Sequence, residues 1–100
     1  SWFGFFGNLY PAYVRGMAYL SARHGVEAAA EFQKIVQYPT LVWSDPVGVV
    51  ARLQLARALA LSGNTAKSKA AYQDFLVLWK DAEQDIPILK QAKAEYARLP

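Results

Sequence analysis

The chain has 100 residues, 54% of them hydrophobic and 19% charged, which suits one domain that buries roughly 60–70% of its unfolded surface. With no cysteine, disulfides, thiolate metal sites and a thiol nucleophile are excluded. The net charge of +3 is spread among interleaved acids and bases with no basic block, so no nucleic-acid partner is expected.

No apolar run approaches the ~18 residues of a membrane span. The basic start, apolar stretch and small-residue cleavage site of a secretory leader are also missing. The first residue is Ser1, not methionine, so a piece of a longer protein is expected. A cytoplasmic setting is favoured, and an extracytoplasmic one follows if that longer protein carries a membrane span before Ser1.

Residues 1–7, SWFGFFG, place Trp2, Phe3, Phe5 and Phe6 between glycines with neither a helical nor a strand period. Such a segment is expected to fold back over the first helix pair or to reach a second molecule. Direct membrane contact is not expected, because interfacial anchors are longer, basic amphipathic helices. Asn8 is predicted to cap a helix running to about Arg23, with Pro11 in its tolerant first turn. His24-Gly25 ends it. A second helix is predicted from Val26 to about Gln37, with Ala28, Ala29, Phe32, Ile35 and Val36 on one stripe, ended by Tyr38-Pro39.

Asp45-Pro46 reads as a cap followed by a first-turn proline, opening a third helix that stops at Ser62-Gly63. Asn64 or Thr65 caps a fourth to about Lys80, and Asp81–Asp85 forms a polar loop. A fifth helix is predicted from Ile86-Pro87, capped by Asp85, to near Arg98. Its stripe is Ile88 or Leu89, Ala92, Tyr96 and Leu99, with Lys90, Lys93, Glu95 and Arg98 facing water. Thr40–Trp43 is too short and isolated to pair as a strand. The expected class is all-α.

Displaced by 40 positions, the sequence matches itself. Ala30–Val36 lies over Ala70–Leu76, and Gly16–Leu20 over Ala56–Ala60, small residues on small and aromatics on aromatics or leucine. The first copy contains Gly16-x-x-Tyr19, Ala28-x-x-x-Phe32 and Pro39. The second contains Leu55-Ala56-x-x-Leu59 and Ser68-x-x-x-Tyr72. This pattern resembles the tetratricopeptide (TPR) repeat. Ala12 and Arg52 depart from it where tryptophan is frequent, Arg15 where leucine is preferred, and Lys80 where a proline closes the repeat. The spacing exceeds the usual ~34 residues, and the excess is expected in Thr40–Asp45. LYPAYVRGMAYL, AAAEFQKIV, YQDFLVLWKDA and DIPILKQAKAEYARL are similar to the C-terminal TPR tails of bacterial serine/threonine protein kinases. Similar tails occur on winged-helix regulators.

The resemblance implies a right-handed superhelix of antiparallel helix pairs: repeat one over 8–39, repeat two over 45–80 and a capping helix over 86–99. Gly16 and Ala56 would let paired helices approach, with Tyr19, Phe32 and Tyr72 filling the space between them. Because Ala56 stands in the second copy, alanine at Gly16 is expected to be mild. First helices of such pairs line a groove, here Tyr10, Tyr13, Met17 and Leu20 with Leu53, Gln54, Arg57 and Leu61. That groove suits a protein or peptide partner, an amphipathic helix or an extended segment. The implied function is a non-catalytic docking or sensing segment. The alternative is a self-association segment that dimerises the parent protein, with Trp2, Phe3, Phe5 and Phe6 as bridge.

No catalytic residue, metal ligand or cofactor is expected. There is no glycine-rich phosphate loop, HRD or DFG. His24, the sole histidine, sits at a helix end without a second His or Cys to share a ligand. Asp81, Glu83 and Asp85 alternate as in a calcium loop, but Ile86 stands where a glycine is needed. Glu27 and Glu31 lie on one solvated helix face, and Ser44-Asp45 is a cap. Arg15 and Arg52 are expected to be buried and paired, with Glu31 and Asp45 as the acids, since an unpaired buried guanidinium costs roughly 3–5 kcal/mol.

Overall fold

The computed structural model describes residues 9–38, 46–79 and 87–100, which form five α-helices and no strand. These are α1 (Tyr10–Ser21), α2 (Gly25–Val36), α3 (Pro46–Leu61), α4 (Thr65–Leu78) and α5 (Pro87–Ala97). The all-α expectation holds for the described residues. The aromatic start, the expected caps Asn8, Asp45 and Asp85, and the segments around Thr40–Trp43 and Asp81–Ile86 lie outside them. No described helix is long and apolar enough to cross a membrane.

Local signals account for most boundaries. Asn64 caps α4, its side chain accepting from the Lys67 N–H at 3.4 Å. Leu9 precedes α1 as its N-cap without a side-chain cap bond, and Pro11 lies in the first turn. The helix end at which His24 sits is the start of α2, where it is the N-cap residue without a side-chain cap bond. α2 begins one residue early at Gly25, whose missing Cβ would lie 2.8 Å from the Ser62 nitrogen and 2.9 Å from the Ala58 carbonyl oxygen. Only glycine lets the start of α2 press against the end of α3.

The 40-residue spacing of the sequence is also a spacing of hydrogen bonds. After α1, the N–H groups of Ala22, Arg23 and His24 donate to Ala18, Leu20 and Tyr19. After α3, those of Ser62, Gly63 and Asn64 donate to Ala58, Ala60 and Leu59. Each turn places one residue in the left-handed region, Arg23 at φ 64° and Gly63 at φ 85°.

α3 is apolar around most of its circumference, which fits a helix with neighbours on both sides. Ala51, Leu55 and Ala58 join Ala12, Ala28, Phe32, Ile35 and Val36 in one core cluster. Leu53 and Ala56 join Ala71, Tyr72, Phe75 and Ala92 in another. α3 therefore packs between α2 and α4, and it also meets α1. At the α1–α2 crossing, a Cβ on Gly16 would stand 2.7 Å from two ring carbons of the wholly buried Phe32. Alanine there must displace a wholly buried ring, so overpacking is expected in place of the mild effect.

Two packing expectations are corrected, those for Tyr19 and for the burial of Arg15. Tyr19 does not fill the inter-helix space; it is exposed and meets His24 edge-on at 6.2 Å. Arg15 is paired with Glu31 at 2.9 Å, as expected, but its side chain is 52% exposed, so the pair is a surface tie shared with Lys34. Arg52 is half-buried and paired, as expected: it binds Asp74 of α4 at 3.0 Å, and its Nη2 lies 3.5 Å from the Val36 carbonyl oxygen at the end of α2, while the expected acid, Asp45, lies outside the described residues. It ties three helices together, although its buried Nε finds no partner among the described residues.

Candidate functional site

The eight groove positions divide into an open half and a closed half. On α1, Tyr10 is 61% exposed, and Val14 one turn later is 59% exposed. Tyr13, Met17 and Leu20 are half-buried, resting on the first core cluster. The Tyr13 ring meets Phe32 edge-on, with centroids 5.7 Å apart. These side chains show partial apolar surface on a helix whose other side is fixed.

On α3 the mapping needs correction. Leu53 is wholly buried in the second core cluster and Gln54 is nearly so, so neither lines an open groove. Leu61 is half-buried at the end of the helix. Arg57 is half-buried and engaged by α5. Its Nε and Nη2 donate to Glu95 Oε1 and Oε2 at 2.8 and 2.9 Å, and its Nη1 donates to Gln54 Oε1 at 3.3 Å. The Tyr72 hydroxyl also donates to Glu95 Oε1, at 2.8 Å. The mapping fails here because α5 lies against the α3–α4 pair and brings Glu95 onto α3.

Glu95 was expected to face water with Lys90, Lys93 and Arg98. It is instead the acceptor of a three-donor cluster. Its place was legible in the spacing: three residues after Ala92 and beside Tyr96, it falls within the buried stripe. Burial pushes its carboxyl up, but hydrogen bonds from Arg57 and Tyr72 with the Arg57 charge outweigh that and hold it below the ordinary carboxylate range. The hydrogen bonds to Glu95 raise Arg57 further, against partial burial. Tyr72 is driven well above the ordinary phenol range, by burial first and by donation to Glu95 second. At neutral pH the cluster is thus a carboxylate, a guanidinium and a neutral phenol.

The remaining candidates are dispersed. His24 Nδ1 stands 3.8 Å from Glu27 on the surface, while Glu31 turns to Arg15 and Lys34, so Glu27 and Glu31 do not act as a pair. Burial raises the Glu31 carboxyl, and the bonds from Lys34 and Arg15 more than reverse this. Among the described residues no three His, Asp or Glu side chains gather around a common point. Trp2, Phe3, Phe5 and Phe6 lie outside the described residues, as do Ser44-Asp45 and Asp81, Glu83 and Asp85. Comparisons with protein-family models, curated proteins and solved structures return no significant match.

Proposed function

We propose that the chain is a tetratricopeptide-like, non-catalytic protein-interaction module: two helix pairs in a short right-handed superhelix, closed by α5. The observation that carries this reading is the recurrence of one turn, with the same three backbone hydrogen bonds and the same left-handed residue, after α1 and after α3. Repeated helix pairs of this kind bring their first helices side by side and bind partners along them. The contact between α1 and α3 is in keeping with that arrangement. Tyr10, Tyr13, Met17 and Leu20 then supply an aromatic, apolar face for an amphipathic helix or extended peptide. Following the sequence resemblance, its role is docking or sensing within a bacterial serine/threonine protein kinase or regulator.

Selection of a displayed peptide library on the full chain, followed by mapping of NMR shifts, tests the reading. Enriched peptides should shift Tyr10, Tyr13, Met17 and Leu20, and Tyr10→Ser should weaken them by about ten-fold, as loss of an aromatic anchor does. Failure to enrich any peptide, or shifts confined to other helices, would overturn it. The exposed Tyr10 and Val14 favour self-association as the second reading. A sedimentation mass that rises with concentration, and falls to the monomer in Tyr10→Ser with Val14→Ser, would put it first.

A further inference from the structure

The first and last described helices are finished differently on their outer sides. α5 exposes Lys90, Lys93 and Arg98. α1 exposes Tyr10, Pro11, Val14 and Ala18, which helical spacing places on one side. No charge interrupts that side, and Arg15, the sole charged residue of α1, is held by Glu31. Tyr10 and Val14 are 61% and 59% exposed. A helix that is apolar on its outer side as well as its inner one has the pattern of a buried helix. The described residues nevertheless leave this face uncovered.

A cover of matching chemistry and length adjoins it. Trp2, Phe3, Phe5 and Phe6 carry no charge, and Gly7-Asn8 joins them to Leu9, the N-cap of α1. Glycine and asparagine are the residues that reverse a chain most readily. Residues 2–6, if extended, span about 17 Å. The 12 residues of α1 rise about 18 Å. A segment turned back at Gly7-Asn8 thus reaches the whole stripe from Tyr10 to Ala18.

A second copy fits the face less well. The strip measures about 18 Å by about 10 Å, or about 200 Å². A stable dimer buries at least about 600 Å² a side. Two separate molecules also lose translational and rotational freedom on meeting, which a tethered segment does not. A short tether instead holds its segment at an effective concentration of about millimolar. The small area is enough for a strap and too little for a dimer.

We propose that residues 2–6 dock back along Tyr10, Val14 and Ala18 as an intramolecular strap, and compete there with a peptide partner for Tyr10. The competition rests on the interaction-module reading; the docking does not. The strap sets a threshold, because a partner must outbind a tethered aromatic segment before it gains Tyr10.

NMR on the full, isotope-labelled chain tests the docking. Ring protons of the four aromatics should give nuclear Overhauser contacts to the Val14 and Ala18 methyls, unchanged on dilution. A mixture of labelled and unlabelled chains should show no such contacts between molecules. Val14→Lys, at an exposed position, should keep the helicity and abolish the contacts to Ala18. Contacts found only between molecules would make the occupant a second copy and overturn the proposal. Their absence from the native chain, or survival of the Ala18 contacts in Val14→Lys, would overturn it too.

Changing all four aromatics to serine tests the competition. Library-selected peptides should bind that variant at least about ten-fold tighter than the native chain, as loss of an internal competitor allows. Equal affinity overturns the strap as a competitor. Should the serine variant lose helicity, Val14→Lys takes its part, since it leaves Tyr10 and the four aromatics in place. If neither chain enriches a peptide while the native Overhauser contacts are present, the interaction reading falls and the docking stands.

Discussion

The two helix pairs share a turn, yet at two matched buried positions of their second helices they differ by a hydroxyl. Ala28 and Phe32 of α2 correspond to Ser68 and Tyr72 of α4, and all four are buried. Neither hydroxyl is idle. Ser68 Oγ donates to the Ala56 carbonyl at 2.8 Å, and the Tyr72 hydroxyl reaches Glu95. The first crossing closes by close approach of apolar groups, while its polar ties, Arg15, Glu31 and Lys34, stay on the outside. The second crossing turns its polar groups inward. One scaffold can thus be finished as a dry contact or as a directional socket, and only the second gains a means of holding a further helix.

The most severe way to break the comparison is to empty the dry crossing. Phe32→Ala removes a wholly buried ring and should cost about 3–5 kcal/mol in urea unfolding. A loss under about 1 kcal/mol would mean that α1 and α2 do not depend on the ring. Gly16→Ala should cost about 1–3 kcal/mol by overpacking the same contact, and much less once Phe32→Leu has made room. A double-mutant cycle without such coupling would rule out the ring as the obstacle.

Exchanging the hydroxyls sharpens the comparison. Tyr72→Phe leaves the ring and deletes one donor to a carboxylate, for an expected loss of about 1.5–3 kcal/mol. Phe32→Tyr places a hydroxyl in the dry crossing and should cost about 1–3 kcal/mol, having no equivalent of Glu95 to meet. Ala28→Ser is different. If the two crossings match closely, its hydroxyl finds the Gly16 carbonyl as Ser68 finds that of Ala56, and stability should change by less than about 1 kcal/mol. A large loss would show that the backbones match at the turns but diverge at the crossing.

Acid should act through the ties. Glu95 and Glu31 both have folded pKa values below their ordinary ones. Their contribution is therefore full above the unfolded carboxylate pKa, near 4.3, and is lost as pH falls through the folded values. Urea midpoints should be flat near neutrality and fall on acidification below about pH 5. Glu95→Gln should flatten that fall. An acid limb unchanged by the substitution would mean that Glu95 already titrates like an unfolded carboxyl.

Which of these features could be read from sequence follows from how far each signal reaches along the chain. Asn64 as a cap and Ser62-Gly63 as a stop act within a few residues, and those helix ends lie where expected. The repeat was legible because helix crossings need small residues at fixed positions, and Gly16 and Ala56 are 40 apart. Arg15 found Glu31 as expected, whereas the Arg52–Asp74 pair was not foreseen, because it depends on how α3 lies across α4. Leu53, Gln54 and Arg57 were assigned to an open groove by position in a pattern. Their real surroundings depend on where α5 settles, which no spacing within α3 encodes. The three-donor cluster joins three helices, and only the place of Glu95 in its stripe hinted at it.

The smallest expected effect tests the turn itself. Arg23 and Gly63 hold the same left-handed place, but only glycine takes it without steric penalty. For an L residue with a Cβ that conformation costs roughly 1–2 kcal/mol. The Arg23 side chain is exposed and its Cβ is the source of the strain, so nothing in the packing defends it. Arg23→Gly should therefore relieve the turn, less the roughly 0.5–1 kcal/mol by which glycine loosens the unfolded chain. A net gain of about 0.5–1 kcal/mol is expected, read as a higher urea midpoint at unchanged slope. Gly63→Ala is the mirror experiment. No atom lies within contact range of a Cβ there, so any loss reports backbone conformation alone and should be about 1 kcal/mol. If Arg23→Gly is destabilising while Gly63→Ala is not, the two turns differ in what they demand of the backbone, and the repeat ends at the helices.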